Sequence, residues 1–306
     1  MSVSIIIPNL HSPLIGQVIA ALRAQTAAAD ICEIIVVGMD RHGLVAPDAL
    51  VQLIDTGRPI SPAAARNRGA AAASGDYVLF VDADCLLAPE ALDRLLAAAR
   101  AGYGAVVGAV VPETEQYWVL CNNLMAFPEF LTLDQPGERD CLPSFCLLIA
   151  RAVWDAVGAF DERFPGPAGE DLDLSFRMRQ AGYRLACAPA AAVRHRPARP
   201  GPGAVWRQHV GFGTAWHALY HRYRDILPFS QAVWLIDELG GRGLAAALPI
   251  ACLYVLRLFA RRRHLLRFWY AIPGMIWAQF GWYNGIFQAA SLARAAGEPQ
   301  VGAKRS

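Results

Sequence analysis

Short apolar runs alternate with alanine-rich stretches of helical period through the first half of this 306-residue chain. The apolar runs predict strands at residues 3–7, 33–37, 51–54, 77–81 and 105–111. The stretches between them predict helices at residues 14–24, 63–73 and 89–101. Because these strands are apolar throughout and alternate with helices, we predict an α/β fold with a mainly parallel sheet covered by helices on both faces.

The pattern becomes less regular after residue 112. Residues 113–140 are aromatic and without clear period, and we predict irregular structure there. A strand is predicted at 144–149, a helix at 171–181 that ends at Gly182, and short strands at 185–188 and 191–195. The Pro- and Gly-rich residues 196–203 interrupt any helix or central strand. We therefore predict two domains, residues 1–200 and a helical region at 201–306.

Charge is unevenly distributed although the net charge is only +2. Residues 194–267 contain twelve Arg and three acids, a local charge of +9, and the rest of the chain carries −7. The basic residues are interleaved with Trp, Phe, Leu and Tyr. This mixture favours an anionic membrane surface over nucleic acid as the partner.

Two uncharged stretches follow in the C-terminal region. Residues 243–256 are too few to span a bilayer, and the longer stretch 268–293 is interrupted by polar residues, Pro and Gly and is rich in aromatic side chains. We predict shallow helices that lie in the plane of the membrane surface. A single span at 268–290 is the second interpretation, and a soluble helical subdomain or dimer interface is the third.

Seven cysteines are scattered without a CxxC pair, which predicts buried reduced thiols rather than disulfides or a zinc site. The apolar run at residues 3–7 has no basic segment before it and ends at Pro8-Asn9, so it does not have the pattern of a signal peptide. We expect the N-terminal region to fold in the cytoplasm.

Two carboxylates, Asp82 and Asp84, directly follow the predicted strand at 77–81. A spacing of two residues places both on one side of the carboxyl edge of the sheet, where open α/β sheets bind ligands. Oxygen donors there suit a divalent cation and, through it, a diphosphate. An Asp-x-Asp pair by itself is more often a pair of solvated loop residues.

The flanking motifs resemble, in order and spacing, those of the family 2 glycosyltransferases over roughly residues 1–196. They are SIIIPN at 4–9, SPAAARNRG at 61–69, SGDY at 74–77 before the Asp pair, GAFDERF at 158–164 and GEDLDLSFR at 169–177.

This resemblance implies a GT-A fold, a nucleotide-sugar donor and inversion at the anomeric carbon. It implies that Asp171 is the general base, with Glu170 beside it in the catalytic pair. The expected donor-binding residues are Pro8, Asn9, Asp40, Arg66 and Asp82. The expected ligands of a divalent cation, Mg²⁺ or Mn²⁺, are Asp82, Asp84 and His195.

Simpler roles are open for some of these residues. Glu170 and Asp171 begin a helix, where acids also cap free N–H groups, and a lone histidine such as His195 is often only structural. The chain also departs from the family pattern, because Gly38-Met39 follows the second predicted strand where family members carry an acid. Either Asp40 takes that role from a shifted position or base recognition differs. The usual Asn of the acceptor-side segment is also replaced, in residues 143–146.

We therefore predict a glycosyltransferase that moves a sugar from a nucleotide-sugar donor to a glycan or lipid-linked acceptor of the cell envelope. It would work in the cytoplasm, peripherally on the inner face of the membrane or, alternatively, as a single-span membrane protein, with no nucleic-acid partner. The alternatives are a non-catalytic scaffold with the same fold and a sugar nucleotidyltransferase. The latter class should carry a Gly-rich phosphate loop, which residues 11–16 do not form. The absence of GxGxxG after the first strand disfavours an oxidoreductase.

Overall fold

The computed structural model describes residues 1–164, 166, 168–198, 201–225, 227 and 230–296. It divides into two compact units. The first comprises Met1–Glu113 and Phe127–Pro197, and the second Thr114–Ala126 and Ala198–Ser306. The division into two domains at residue 200 stays a prediction, and the segment Thr114–Ala126 belongs to the unit that holds the C-terminal helices.

The first unit contains a central sheet with helices around it. The strands are β1 Val3–Leu10, β2 Ile31–Met39, β3 Val51–Asp55, β4 Tyr77–Val81, β5 Cys85–Leu87, β6 Ala105–Val110, β7 Gly137–Glu138, β8 Cys146–Ala150 and β9 Leu185–His195. The helices are α1 Ile15–Arg23, α2 Pro62–Ala72, α3 Ala91–Arg100, α5 Arg151–Val157 and α6 Glu170–Gln180, with a short 3-10 helix at Ala28–Asp30.

Within the described residues the strand order is β3-β2-β1-β4-β8-β6-β9-β5, with β7 paired to β9. The strands from β3 to β4 are all parallel, but β8 runs antiparallel to both β4 and β6. The expected α/β fold with a mainly parallel sheet is confirmed: β6 and β9 also pair parallel, and among the described strands only β8, β5 and β7 run antiparallel to their neighbours. An apolar run has the same pattern in either direction, so it does not report the direction in which a strand enters a sheet.

Buried aliphatic side chains explain why the N-terminal strands form. Val3, Ile5, Ile6 and Ile7 of β1 are fully buried, and residues 34–37 of β2 are buried as well. Such continuous burial is typical of strands covered on both faces. The parallel strands β1, β2 and β4 therefore end at one edge of the sheet, where the loops after them carry polar residues.

Several elements differ from the sequence prediction, and the strands β5 and β7 and the helix α5 were not predicted at all. Residues 117–126 form helix α4 where irregular structure was predicted, because its residues 119–125 are all buried and no one-sided apolar stripe marks it. Strand β2 continues to Met39, two residues beyond its predicted end. The two short strands at 185–195 are one strand, β9, and its register to β6 shifts between Val107 and Ala109. A shift of this kind accommodates Pro189 in mid-strand.

The second unit is helical. It contains α4 Tyr117–Ala126, α7 Pro202–Arg222, α8 Gln231–Leu239, α9 Gly241–Arg261, a 3-10 helix at Arg263–Ala271 and α10 Ile272–Ala295. Helices α7 and α10 approach closely at glycines. A Cβ on Gly213 would lie 1.9 Å from the carbonyl oxygen of Trp282, and one on Gly285 would lie 2.0 Å from that of Val210. Only glycine permits this backbone contact.

Among the described residues one helix, α9, is long and apolar enough to cross a membrane by length and composition. Its most apolar window has a mean hydropathy of 1.9, and 28% of that window is buried within the protein. The expectation that residues 243–256 are too short was wrong about the helix, because α9 continues through charged residues to 21 residues. The uncharged stretch 268–290 lies instead in the second 3-10 helix and in α10.

Candidate active site

The first buried ionic group of the site is centred on Arg66 in helix α2. The helix begins at Pro62, and the Ser61 side chain caps it by accepting a hydrogen bond from the Ala64 amide at 3.2 Å. One turn later the Arg66 guanidinium donates from Nη2 to Oδ1 of Asp82 at 2.8 Å and from Nη1 to Oε1 of Glu170 at 2.9 Å. Arg66 is 3% exposed. It therefore joins the loop after β4 to the first turn of α6.

Two polar atoms of this group have hydrogen-bonding capacity left over. Across the described part of the chain, Nε of Arg66 and Oε2 of Glu170 are buried without a hydrogen-bond partner. Unsatisfied buried polar atoms are costly and uncommon in folded proteins. A donor and an acceptor at this position can each bind a polar group of a ligand.

Asp171 follows Glu170 but has different partners. Its Oδ2 accepts from the Ser144 amide at 3.2 Å, and its Oδ1 accepts from the Leu172 amide at 2.9 Å. Burial raises the pKa of Asp171, while Arg66 and the two amides lower it. Burial also raises the pKa of Glu170, and repulsion from Asp171 adds to this rise against the effect of Arg66. A carboxylate with a raised pKa is a better proton acceptor, which general base catalysis requires.

After the Arg66 group and Asp171, the next part of the site is the pair of Asp84 and His195. Antiparallel pairing of β5 with β9 sets Cys85 opposite His195, and Nε2 of His195 lies 3.6 Å from Oδ1 of Asp84. The imidazole stacks on Phe145 with ring centroids 6.1 Å apart and meets Phe127 edge-on at 5.3 Å. Burial raises the pKa of the Cys85 thiol well above its usual value, so Cys85 stays protonated. Asp84 and His195 are the better cation ligands of this cluster.

The residues predicted to contact the nucleotide lie at the ends of β1 and β2. Nδ2 of Asn9 donates to the carbonyl oxygen of Met39 at 3.0 Å, and its Oδ1 accepts from the Ser12 amide at 3.1 Å. Pro8 pairs with Val37 in the sheet. In these contacts Asn9 connects the two strand ends.

Asp40 directly follows the observed end of β2. Its Oδ2 accepts from the Val45 amide at 2.7 Å, whereas its Oδ1 is buried without a hydrogen-bond partner among the described residues. The apparent departure from the family pattern arises because β2 is longer than predicted. Asp40 therefore stands in the position directly after the second strand, with one free acceptor.

Sequence reasoning missed two serines that hold the site loops. Oγ of Ser12 donates to the carbonyl oxygen of Ala83 at 2.7 Å, which ties the loop after β1 to the Asp pair. Ser144 positions Asp171 through its backbone amide. The only sequence signal for Ser12 is its place in the loop after the first strand, and backbone contacts such as that of Ser144 leave no mark in residue type.

Asp173 lies two residues after Asp171, also in the first turn of α6. It is buried, and its Oδ2 accepts from Nε of Arg177 at 2.9 Å, one helical turn away. Arg177 also donates to the carbonyl oxygens of Val157 and Ala159. This pair anchors the loop after α5.

The sequence that carries these residues matches a known protein family. Residues 2–216 match the family model described as glycosyltransferase like family 2. The chain belongs to this family. The match covers the first unit from residue 2, the segment Thr114–Ala126 and most of α7. Arg66, Asp82, Asp84, Glu170, Asp171 and His195 therefore all lie inside the region that the family shares.

Two curated relatives indicate the range of the family. The chain is 31% identical over 211 residues to the pre-mycofactocin glycosyltransferase of Mycobacterium tuberculosis, covering 63% of this chain and 43% of the relative. It is 30% identical over 149 residues to the N-acetylglucosaminyl-diphospho-decaprenol L-rhamnosyltransferase of the same organism, covering 40% and 48%. The chain thus spans less than half the length of each of these relatives.

Solved structures share the fold. The mannosyltransferase PcManGT from Pyrobaculum calidifontis, in complex with GDP-Man and Mn²⁺, matches with a TM-score of 0.60 at 19% identity, over 97% of this chain and 88% of that chain. The expected GT-A fold is therefore confirmed.

Proposed function

We propose that this protein transfers a sugar from a nucleotide-sugar donor to an acceptor hydroxyl group, with inversion at the anomeric carbon. The observation that carries this proposal is the buried Arg66, which binds Asp82 and Glu170 at once. The Asp pair after β4 and the acidic pair of α6 are thereby held beside each other. A transfer by a single displacement needs an anion-binding group and a proton acceptor in that arrangement.

A divalent cation fits the residues present. Asp84 supplies a carboxylate and His195 an imidazole whose near atoms are 3.6 Å apart, with Asp82 two residues from Asp84. Such donors suit Mn²⁺ and, through the carboxylates, Mg²⁺. Asp84, His195 and Asp82 would hold the ion, which when bound would neutralise charge on the donor diphosphate. The solved mannosyltransferase carries Mn²⁺, as its title says.

The protein's own side chains would divide the remaining work. Asp171 would accept the proton of the acceptor hydroxyl, and Ser144 would hold its carboxylate in place. Arg66 would hold the carboxylates of Glu170 and Asp82 in alignment. Asp40, with its free Oδ1, and the loop of Pro8 and Asn9 would contact the nucleotide.

The acceptor class is proposed from the name of a relative and from the surface of the second unit. The name of one relative specifies a decaprenol-linked sugar as its acceptor. The second unit exposes large apolar side chains beside arginines, including Leu253, Trp269 and Leu292 at 66%, 68% and 71% exposure. We propose a glycan or lipid-linked acceptor of the cell envelope, and a location on the cytoplasmic face of the membrane.

Donor binding tests this function directly. Isothermal calorimetry of the full chain with UDP, GDP and dTDP and their sugar conjugates, each with and without Mn²⁺ or Mg²⁺, should find one nucleotide whose affinity depends on the metal. Asp84→Ala should lose that dependence, whereas Asp155→Ala, an exposed carboxylate on α5, should keep it. If no sugar nucleotide binds, or if Asp84→Ala binds as tightly as wild type, the non-catalytic scaffold becomes the better hypothesis.

A further inference from the structure

Three ligand-bearing side chains converge inside the second unit, in a region with no part in the proposed transfer. His217 and His221 are four residues apart on α7 and so share one face of that helix. Asp237 of α8 faces them. Its Oδ1 lies 3.0 Å from Nε2 of His217 and its Oδ2 lies 3.1 Å from Nε2 of His221, while the two Nε2 atoms are 3.1 Å apart.

This arrangement has the form of a ligand set. A neutral imidazole has one N–H and one lone pair, and the carboxylate has only acceptors. With both imidazoles protonated at Nε2, each donates to one oxygen of Asp237, but the two N–H groups then lie side by side with their nitrogens 3.1 Å apart. With both imidazoles protonated at Nδ1, two nitrogen lone pairs and the carboxylate face one another. A cation at their centre binds all three lone pairs. Zinc, with bonds of about 2.0–2.1 Å in a tetrahedron, sets its ligand atoms about 3.3 Å apart.

The three side chains are largely buried, and the cluster is open to solvent at His221. The side chains of His217 and Asp237 are each 9% exposed, and that of His221 is 30% exposed. Tyr220 and Ile236, their neighbours in sequence, belong to the apolar core of this unit. A carboxylate in such a place requires positive partners. The exposed side of His221 leaves access for an ion and for a water as a further ligand.

We propose that His217, His221 and Asp237 form a binding site for a divalent transition-metal ion of the zinc type. Two imidazole nitrogens with one carboxylate select zinc and its neighbours over the harder Mg²⁺. The bound ion would link α7 to α8. Arg294 already stabilises this end of α8 through the carbonyl oxygens of Ile236 and Asp237, at 3.5 and 3.3 Å. None of these three ligands is among the residues assigned to the transferase reaction.

Zinc retention by the full chain tests the site. The protein is stripped with a chelator, loaded with zinc, passed through gel filtration and analysed for metal per chain. Wild type should retain one zinc ion at this site. His221→Ala and Asp237→Asn should retain none of it. Loss of a hydrogen-bond partner of a metal ligand already lowers metal affinity by about 10–100-fold, and loss of the ligand itself should lower that affinity further. His42→Ala, an exposed histidine of the first unit, is the matched control and should bind as wild type does.

Two further measurements separate the remaining outcomes. Asp84→Ala should still retain the zinc, which distinguishes this site from the donor site. Thermal unfolding should shift to higher temperature on zinc addition in wild type and not in His221→Ala or Asp237→Asn, since a ligand that binds the native state raises apparent stability. If wild type retains no zinc, the three residues form only a hydrogen-bonded cluster. If the variants retain as much as wild type, the ligands are elsewhere. Either result overturns the proposal.

Discussion

Glu170 and Asp171 lie next to each other in the first turn of α6 but face different partners. Glu170 is bound to the buried Arg66, and Asp171 is held by the Ser144 amide. The first contact makes Glu170 a structural support of Arg66. Asp171 accepts from the backbone amides of Ser144 and Leu172, and this makes it the better candidate for the base.

We therefore expect Asp171→Asn to lower the rate of single-turnover transfer by about 10²–10⁴-fold, because Asn cannot accept the proton. Donor affinity should be nearly unchanged. Stability at neutral pH should not fall. Burial raises the pKa of Asp171 in the folded state, so protonation of Asp171 stabilises the fold at low pH, and this contribution is lost as pH rises through that pKa. Asn carries no charge, so it avoids the cost of burying an ionised carboxylate at neutral pH.

The control is Asp155→Asn, which makes the same change at an exposed position. For wild type, the rate should fall as pH falls, with an apparent pKa above the ordinary Asp value of about 3.9. Wild-type turnover by Asp171→Asn would show that helix capping is its whole role, and Glu170 would be the next candidate.

Glu33 is a buried carboxylate near the start of β2, at the opposite end of this strand from the candidate site. It accepts from Ser4 Oγ at 2.6 Å and from both the amide and Oγ of Ser74 at 2.7 Å. Burial acts to raise the pKa of Glu33, but these hydrogen bonds outweigh it and the pKa is lowered. The ionised form therefore stabilises the fold.

We expect Glu33→Gln to lower the free energy of unfolding by about 1.5–3 kcal/mol, the usual contribution of hydrogen bonds to a charged group. Because the folded pKa lies below the unfolded value of about 4.3, the difference from wild type should be full above that pH and shrink as pH falls below it. Urea unfolding at several pH values measures both. Glu90→Gln, at an exposed helix start, should change stability by less than about 0.5 kcal/mol. An equal loss at every pH would contradict the charged-acceptor account.

At the scale of elements, the extended end of β2 depends on Gly38. Its φ is +136°, and a Cβ there would lie 1.9 Å from the carbonyl oxygen of Asn9 in β1. Glycine alone permits the two strands to run side by side to Leu10 and Met39. This pairing is what brings Asp40 to the strand end.

Gly38→Ala should destabilise the protein by about 3 kcal/mol or more, because the methyl group meets backbone that cannot move without separating β1 from β2. Gly43→Ala is the matched control. Its φ is also positive, +61°, but nothing lies within 4 Å of an added Cβ, so only the conformational cost of about 1–2 kcal/mol applies. Denaturant unfolding of both variants gives the comparison. Equal losses would mean that the contact with Asn9 relaxes freely.

At the scale of the whole molecule, the arginines of the C-terminal region adjoin exposed apolar side chains. Arg261 ends α9, Arg262 and Arg263 follow it, and Leu266 and Trp269 in the 3-10 helix after α9 are 54% and 68% exposed. Truncation at residue 200 is a poor test of membrane binding, since α4 belongs to the unit that would be removed. Charge reversal in the full chain avoids that problem.

Replacing Arg261, Arg262 and Arg263 by Glu should lower partitioning onto anionic vesicles by more than about 100-fold, since each Arg near such a surface contributes about 1 kcal/mol. Vesicle flotation at low salt measures this. Reversal of Arg68, Arg94 and Arg100, exposed in the first unit, makes the same change in net charge and should have little effect. Retention of wild type through high salt and carbonate would instead favour α9 as a true span.

Residue types and local periods determined much of this protein. They sufficed for the alternating strands and helices of the first half, for the acids that end β4 and begin α6, and for the family resemblance. The physical reason is that burial on both faces and helix or strand period are local properties. The end of β4 before Asp82, for example, is recognisable from the apolar run at residues 77–81 and the acids that follow it.

Tertiary structure alone decided what depends on distant backbone. Arg66 and Glu170 are 104 residues apart and meet only because the sheet places α2 and α6 at one edge. The antiparallel direction of β8 and the buried helix α4 have no periodic signal. The same holds for His217, His221 and Asp237: two histidines at helical spacing are a weak pattern until α8 brings a carboxylate within 3.1 Å. Such contacts are set by the path of the chain, which local preferences do not specify.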